Sequence, residues 1–292
     1  MRELLVIADK KDSGKQSAFY HALEIAKNTG AKIEFVGFVH APGVDSSEIL
    51  SHEEKRKVHH KYIDKKQAQI DEFLSKVDLG DIKVHVDVVW EKSLEKWVIA
   101  RCEQKSFDIV FKSGHRSEAF LYTPTDWQLM RQCPEPVMIV GESEWKEGGK
   151  VLAALDLGSS SPRSLELNEN ILRQSIKLAK ATDSEVHACY SIAVPKALAD
   201  LDLIDPKAYE SKMKESLDPM IRKLVEEAGL DRDKLHLLSG KPAKEICRIS
   251  RKIGADVVIL GNKTQTSLRG RLLGNTAETV LHKVAADVMV IK

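Results

Sequence analysis

ADVVILGNKTQTSLRGRLLGNTAE (Ala255–Glu278) places an apolar run of strand length before a long glycine-bearing connection and the opening of a helix. Residues 261–273 make that connection far longer than the ~2–6 residues usual between a strand and a helix, so its length needs a reason. Gly261, Gly270 and Gly274 permit close backbone approach or positive φ, and Lys263, Arg269 and Arg271 bring positive charge. A helix entered at Asn275-Thr276-Ala277-Glu278 turns free N–H groups and its dipole toward an anion. The pattern is not the P-loop G-x-x-x-x-G-K-[ST]. A plainer reading stands beside it: Asn275 followed by Glu278 resembles a capping box, and basic residues in an exposed loop can simply be solvated.

Working outward, the chain states one pattern twice. Strand-length apolar runs occur at LLVIA (Leu4–Ala8), KIEFVGFV (Lys32–Val39), IKVHVDVV (Ile82–Val89), FDIVFK (Phe107–Lys112) and PVMIV (Pro136–Val140). They recur at KVLAAL (Lys150–Leu155), EVHACY (Glu185–Tyr190), KLHLL (Lys234–Leu238), ADVVIL (Ala255–Leu260) and DVMVIK (Asp287–Lys292). Asp9 and Asp156 lie 147 positions apart, Asp108 and Asp256 148, and Met138 and Met289 151. Nearly constant offsets indicate a duplicated domain. The polar, glycine-bearing GESEWKEGGK (Gly141–Lys150) is suited to link residues 1–141 to residues 150–292. Val-, Ile- and Leu-rich strands alternating with helices predict, for each half, an α/β layer whose five-stranded parallel sheet is covered on both faces.

Composition narrows the function. Lysine plus arginine number 45 against 44 aspartate plus glutamate, which leaves no global field to attract nucleic acid. The four cysteines, Cys102, Cys133, Cys189 and Cys247, lack a C-x-x-C pair or a histidine at metal-ligand spacing, and read as reduced core residues. No apolar run approaches a membrane span and MRELLVIADKK meets charge too early for a signal peptide, so no membrane insertion and a cytoplasmic location are expected.

A helix beginning near Glu48 should turn Val58, Tyr62, Ile70, Phe73, Leu74 and Val77 toward its sheet, with His52, His59 and His60 on a solvated face. Trp90, Trp97, Trp127 and Trp145 are expected in core or interdomain packing. In an open α/β sheet a ligand lies beyond the carboxyl ends of the strands, where the winding reverses; with order 3-2-1-4-5 that is between strands one and four. Asp156 at the end of the second half's first strand can bind a ribose hydroxyl or close a turn, and for Asp9 the turn is the expected role. At the equivalent helix start of the first half, Pro124 removes a donor and Asp126 brings negative charge, so that copy is expected to be closed to phosphate.

The duplicated halves, the aspartate after each first strand, SGKPAKEI (Ser239–Ile246) and G-x2-T-x9-G-N-T from Gly261 resemble the universal stress protein family. YTPTDW (Tyr122–Trp127), GNTAE (Gly274–Glu278) and a linker ending EGGK look most like its E-type tandem bacterial members, over essentially the whole chain. The resemblance implies two adenine nucleotide α-hydrolase-like domains of order 3-2-1-4-5, paired as an intrachain pseudo-dimer through their fifth strands, and a stress-related regulatory role with protein partners; a further homodimer is compatible with it. It further implies ATP or a related adenine nucleotide, with magnesium optional, at Asp156, Gly261, Lys263, Gly274, Asn275 and Thr276. Thr264 departs from the family's second motif glycine and Asn275 from its serine or threonine.

No G-x-S-x-G elbow, H-E-x-x-H helix or spaced carboxylate pair is present, so a sensor rather than an enzyme is expected, with slow ATP hydrolysis as the catalytic alternative. A different class of ligand is an apolar, acyl-type molecule lined by Leu198, Leu201, Leu203, Ile204, Met213, Leu217 and Met220, residues that equally suit an ordinary core.

Overall fold

The computed structural model spans residues 1–292 and describes them except 11–14, 115–123, 142, 160, 195–202, 263–264, 268–269 and 273; for 206, 223–228, 265–267, 270–272 and 275 it describes the backbone alone. The described residues form two compact units, one ending at Glu144 and the other running from Trp145 to Lys292.

The first unit contains β1 (Glu3–Ile7), α1 (Ser17–Thr29), β2 (Lys32–Val39), α2 (His52–Leu74), β3 (Val84–Trp90), α3 (Leu94–Gln104), β4 (Ile109–Ser113), α4 (Pro124–Gln132) and β5 (Val137–Val140). Its strands are parallel in the order β3-β2-β1-β4-β5. Leu4, Leu5, Val6, Ile109, Val110 and Phe111 are fully buried, as expected for central strands covered on both faces. β3, on the outside, instead alternates exposed and shielded residues, with His85 and Asp87 outward. A carboxylate on β2 is buried beside this core: Glu34, held by Arg101 through bonds of 2.7 and 2.9 Å and by Lys105 at 3.1 Å. Burial acts to raise its pKa, but these two cations prevail and hold it below the usual carboxylate value.

α2 starts at His52, later than Glu48, because Ser51 and Glu54 form a capping box there. Ile70 is buried and the Phe73 ring packs against those of Phe19 and Phe35, but Tyr62 is 47% exposed, so the apolar stripe meets the sheet only along its later turns. His59 also departs from a solvated face. Its ring stacks on Trp90 at 3.8 Å, its Nε2 lies 2.8 Å from Asp45 Oδ1, and Trp90 Nε1 donates to Asp45 Oδ2 at 3.1 Å.

The second unit repeats the plan with β6 (Lys150–Ala154), α5 (Pro162–Ala181), β7 (Glu185–Ile192), α6 (Pro206–Ala228), β8 (Leu235–Ser239), α7 (Pro242–Ile253) and β9 (Val257–Gly261), then β10 (Gln265–Ser267), β11 (Gly270–Leu272), α8 (Asn275–Lys283) and β12 (Asp287–Ile291). Its parallel order β8-β7-β6-β9-β12 is again 3-2-1-4-5. The aspartates that open the fourth strands do the same work in both units. Asp108 Oδ2 accepts from Glu3 N–H at 3.1 Å, and Asp256 Oδ2 from Lys150 N–H at 2.9 Å, tying strand four to strand one. Gly149 makes room for the second bond, since a Cβ there would lie 2.6 Å from Asp256 Oδ2. Trp145 is fixed by donation from Nε1 to Asp287 Oδ2 at 2.8 Å.

Candidate functional site

The segments that carry the residues singled out in the sequence follow the carboxyl ends of strands one and four of the second unit. β6 and β9 are neighbours, Ala154 opposite Leu260, so the segments that follow them leave from one place on the sheet. Asp156 follows β6 and is exposed; its Oδ1 accepts from Gly158 N–H at 3.3 Å. Its backbone is fastened by buried Asn168 of α5, which accepts from Asp156 N–H at 2.9 Å and donates to Asp156 O at 2.8 Å. Tyr190 reaches the same turn: a Cβ on Gly158 would lie 2.7 Å from its hydroxyl. Burial first, then the charge of Asp156, raises the Tyr190 pKa. Beside them Ser161 caps α5 by accepting from Ser164 N–H, and Ser159, Ser161 and Ser164 exchange hydroxyl hydrogen bonds of 2.8–3.2 Å.

The connection after β9 contains an antiparallel hairpin, β10 with β11, that pairs Thr266 with Arg271 and Ser267 with Gly270. This accounts for its length. Lys263, Thr264 and Arg269 lie outside the described residues. Gly261 ends β9 under α5, where an added Cβ would meet Leu167 Cδ2 at 2.7 Å, Leu167 Cγ at 2.9 Å and Ile171 Cδ1 at 3.0 Å. Close approach is thus the use of this glycine, and the neighbour is the protein's own helix.

Gly274 is the N-cap of α8, with φ −64° and ψ 145°, and it supplies no side-chain cap; a Cβ there would meet nothing within 4 Å. Asn275 is therefore the first helical residue rather than the cap, and the Asn275–Glu278 capping box does not form. Thr276, in the same first turn, is exposed. An α-helix leaves its first N–H groups without intrahelical partners, and here no side chain from a cap covers them.

In the first unit the same place is filled. Lys112 occupies in β4 the position of Leu260 in β9, since Lys112 pairs with Ile7 and Ile139 as Leu260 pairs with Ala154 and Val290. Asp126, third residue of α4, corresponds to Ala277, third of α8. Lys112 Nζ lies 2.7 Å from Asp126 Oδ1 and also donates to Ser113 O at 3.1 Å. Asp9 is buried, its Oδ2 accepting from Gln16 N–H at 3.0 Å while Gln16 Oε1 accepts from Asp9 N–H at 3.0 Å. A cleft of about 120 Å³ remains, lined by Asp9, Lys10, Leu94, Lys112, Ser113 and Thr125. Asp9 closes a turn, as its sequence context implies, and the negative charge of Asp126 stands at the helix start with a lysine of its own.

A second, wider depression in the first unit, about 650 Å³, is lined by His40, Pro42, Asp45, Trp90, Glu91 and Lys92. Nothing in the spacing of these residues announces it. Among the described residues no group of three histidine, cysteine, aspartate or glutamate side chains could hold a metal ion, and no helix is long and apolar enough to cross a membrane.

The model of the universal stress protein family matches residues 1–141 and again 149–292, so the chain belongs to that family as a tandem of two such domains. It is similar to universal stress protein E of Escherichia coli K12, with 29% identity covering 100% of this chain and 94% of that protein. The universal stress protein E homolog of Haemophilus influenzae is 28% identical, covering 100% and 97%. Among solved structures, a Pseudomonas aeruginosa PAO1 protein of unknown function superposes with TM-score 0.75 and 23% identity over 100% of this chain and 92% of its own. A universal stress protein of Archaeoglobus fulgidus does so with TM-score 0.65 and 17% identity over 99% and 96%. These likenesses carry the fold.

Proposed function

We propose that the second unit binds a phosphorylated small ligand, an adenine nucleotide such as ATP, and that the protein acts in stress response as a cytoplasmic sensor or regulatory module, not as a dedicated enzyme. The observation that carries this reading is the difference between the two helix starts. α8 begins after its N-cap Gly274 with no side-chain cap and open space at that glycine, whereas α4 begins beside the Lys112–Asp126 pair. A phosphate at Gly274, Asn275 and Thr276 would receive backbone N–H groups and the positive end of the helix dipole. Exposed Asp156 would take a ribose hydroxyl, with Asn168 holding its backbone. Gly261 contributes by letting α5 close on β9, and Lys263 would supply a cation. Magnesium, if it accompanies the nucleotide, would find its protein carboxylate in Asp156.

The acyl-ligand reading finds less support. Leu198 and Leu201 lie outside the described residues, Leu203 is 65% exposed, and Leu217 is buried. The apolar cleft between Leu155, Leu157, Leu172, Ile221 and Leu230 measures about 10 Å³, room for roughly one water and not an acyl chain.

Calorimetric titration of ATP into the full chain tests the proposal. One site per chain is expected, lost in Gly274→Asp and kept in Asp126→Ala. Two sites, or a site that survives Gly274→Asp, would overturn it.

A further inference from the structure

Cys102 and Cys133 are 31 residues apart in sequence, and their sulfurs lie 3.7 Å apart, Cys133 Sγ–H donating to Cys102 Sγ. Cys102 belongs to the last turns of α3 and Cys133 immediately follows α4. Both are buried, 5% and 1% exposed. The remaining cysteines lie elsewhere, Cys189 in β7 and Cys247 in α7.

We propose that Cys102 and Cys133 are a site of oxidative modification, converted by a peroxide-class oxidant into an intrachain disulfide that staples α3 to the end of α4. A disulfide requires sulfurs at ~2.05 Å, so the pair closes by side-chain rotation and a small shift of the nine-residue α4. In the first step a sulfur attacks one peroxide oxygen, the O–O bond breaks, and a sulfenic acid and water form. In the second, the neighbouring thiol attacks the sulfenic sulfur, the S–O bond breaks, and the hydroxyl leaves as water with the remaining thiol proton. The two sulfurs together lose two electrons, peroxide gains them, and two waters result.

Burial restrains this chemistry. The hydrogen bond from Cys133 and then burial hold the Cys102 thiol well above the ordinary thiol range, so little thiolate is present while α4 is seated. Oxidation therefore records moments when α4 loosens, and the product restrains the same helix. Thr125 of α4 and Leu94 of α3 both line the first unit's cleft, so the staple joins two helices that form its wall.

The test uses the folded full chain treated with hydrogen peroxide, quenched with an alkylating reagent and digested without reduction. Peptide mass spectrometry should find the Cys102 and Cys133 peptides joined, with the loss of two hydrogens, while Cys189 and Cys247 are recovered as thiols alkylated only after unfolding. Cys102→Ser and Cys133→Ser should each abolish the joined peptide. Hydrogen exchange across residues 124–132 should slow in the oxidised wild type. The proposal is overturned if the joined peptide is absent, if it forms only in denaturant, if both sulfurs instead end as sulfinic acid, or if α4 exchanges equally fast with the cross-link in place.

Discussion

Lys112 Nζ and Asp126 Oδ1 meet at 2.7 Å with their side chains only 11% and 1% exposed, at positions that Leu260 and Ala277 fill in the second unit. One copy of the repeat has thus placed an ion pair where the other keeps apolar side chains. The carboxylate lies at the N-terminal end of α4, where the helix dipole favours negative charge, and the lysine neutralises it from the sheet.

Removing one member takes the opposite charge away from the other while that one stays buried. Asp126→Ala or Lys112→Leu alone should cost about 3–5 kcal/mol in the first unit. The double replacement, which installs the second unit's residues, should recover most of that loss. Denaturant unfolding followed through Trp90, Trp97 and Trp127 measures the cycle, because these tryptophans belong to the first unit. Strict additivity of the two single losses would show that the pair does not act as one element.

Gly261 and Gly274 should separate packing from binding. Gly261→Ala drives a methyl against Leu167 and Ile171 and should destabilise the second unit by about 1–3 kcal/mol, with partial rescue by Leu167→Ala. Gly274→Ala meets no neighbour and has an ordinary φ, so its change should stay within about 0.5 kcal/mol. Thermal unfolding distinguishes them, and equal losses at both positions would contradict the steric assignment.

His187 and His236 share a 3.1 Å hydrogen bond between ring nitrogens and stack with an 8° interplanar angle. Burial is the main cause that lowers both pKa values. Glu185 opposes it at His187, Lys150 and Lys234 reinforce it there, and at His236 the charges of His187 and Lys252 add to it. Folded pKa values below the unfolded value of about 6.5 mean that the unfolded chain binds more protons in the interval between them. Their contribution to stability is therefore present above about pH 6.5 and is lost as pH falls through the folded values. Calorimetry from about pH 7.5 to about 5.5 should show the second unit's midpoint falling, and His236→Leu should flatten that slope. An unchanged slope in the variant would assign the effect to other groups.

Asn168→Leu removes both part-buried bonds to the Asp156 backbone, at a cost of about 1–3 kcal/mol for the two together. If Asp156 takes part in binding, ATP affinity measured on folded variant should fall as well. A stability loss with full affinity would mean that Asp156 only closes its turn.

The inner strands are legible because a central parallel strand is covered on both faces and so reads as a continuous apolar run, and the outer ones because the whole pattern occurs twice. Asp108 and Asp256 stand out by their matching places, Asp9 as a turn and Asp126 as a charge at a helix start. Less was visible at Asn275, where the capping pattern is satisfied in sequence but Gly274 takes the cap position. The short alternating stretch that becomes β10 and β11 was hidden within a loop, since a three-residue strand has too few side chains to show a period.

Sequence by itself determined the repeat, the strands and the family, all of which depend on composition and on neighbours along the chain. Tertiary structure alone decided that Lys112 answers Asp126, that Gly261 yields to Leu167 and Ile171, that Asn168 holds Asp156, and that Cys102 faces Cys133. Ion pairing, steric exclusion and sulfur contact act over a few ångströms of space, and residues far apart in the chain meet at that range only after the sheet and its helices have assembled.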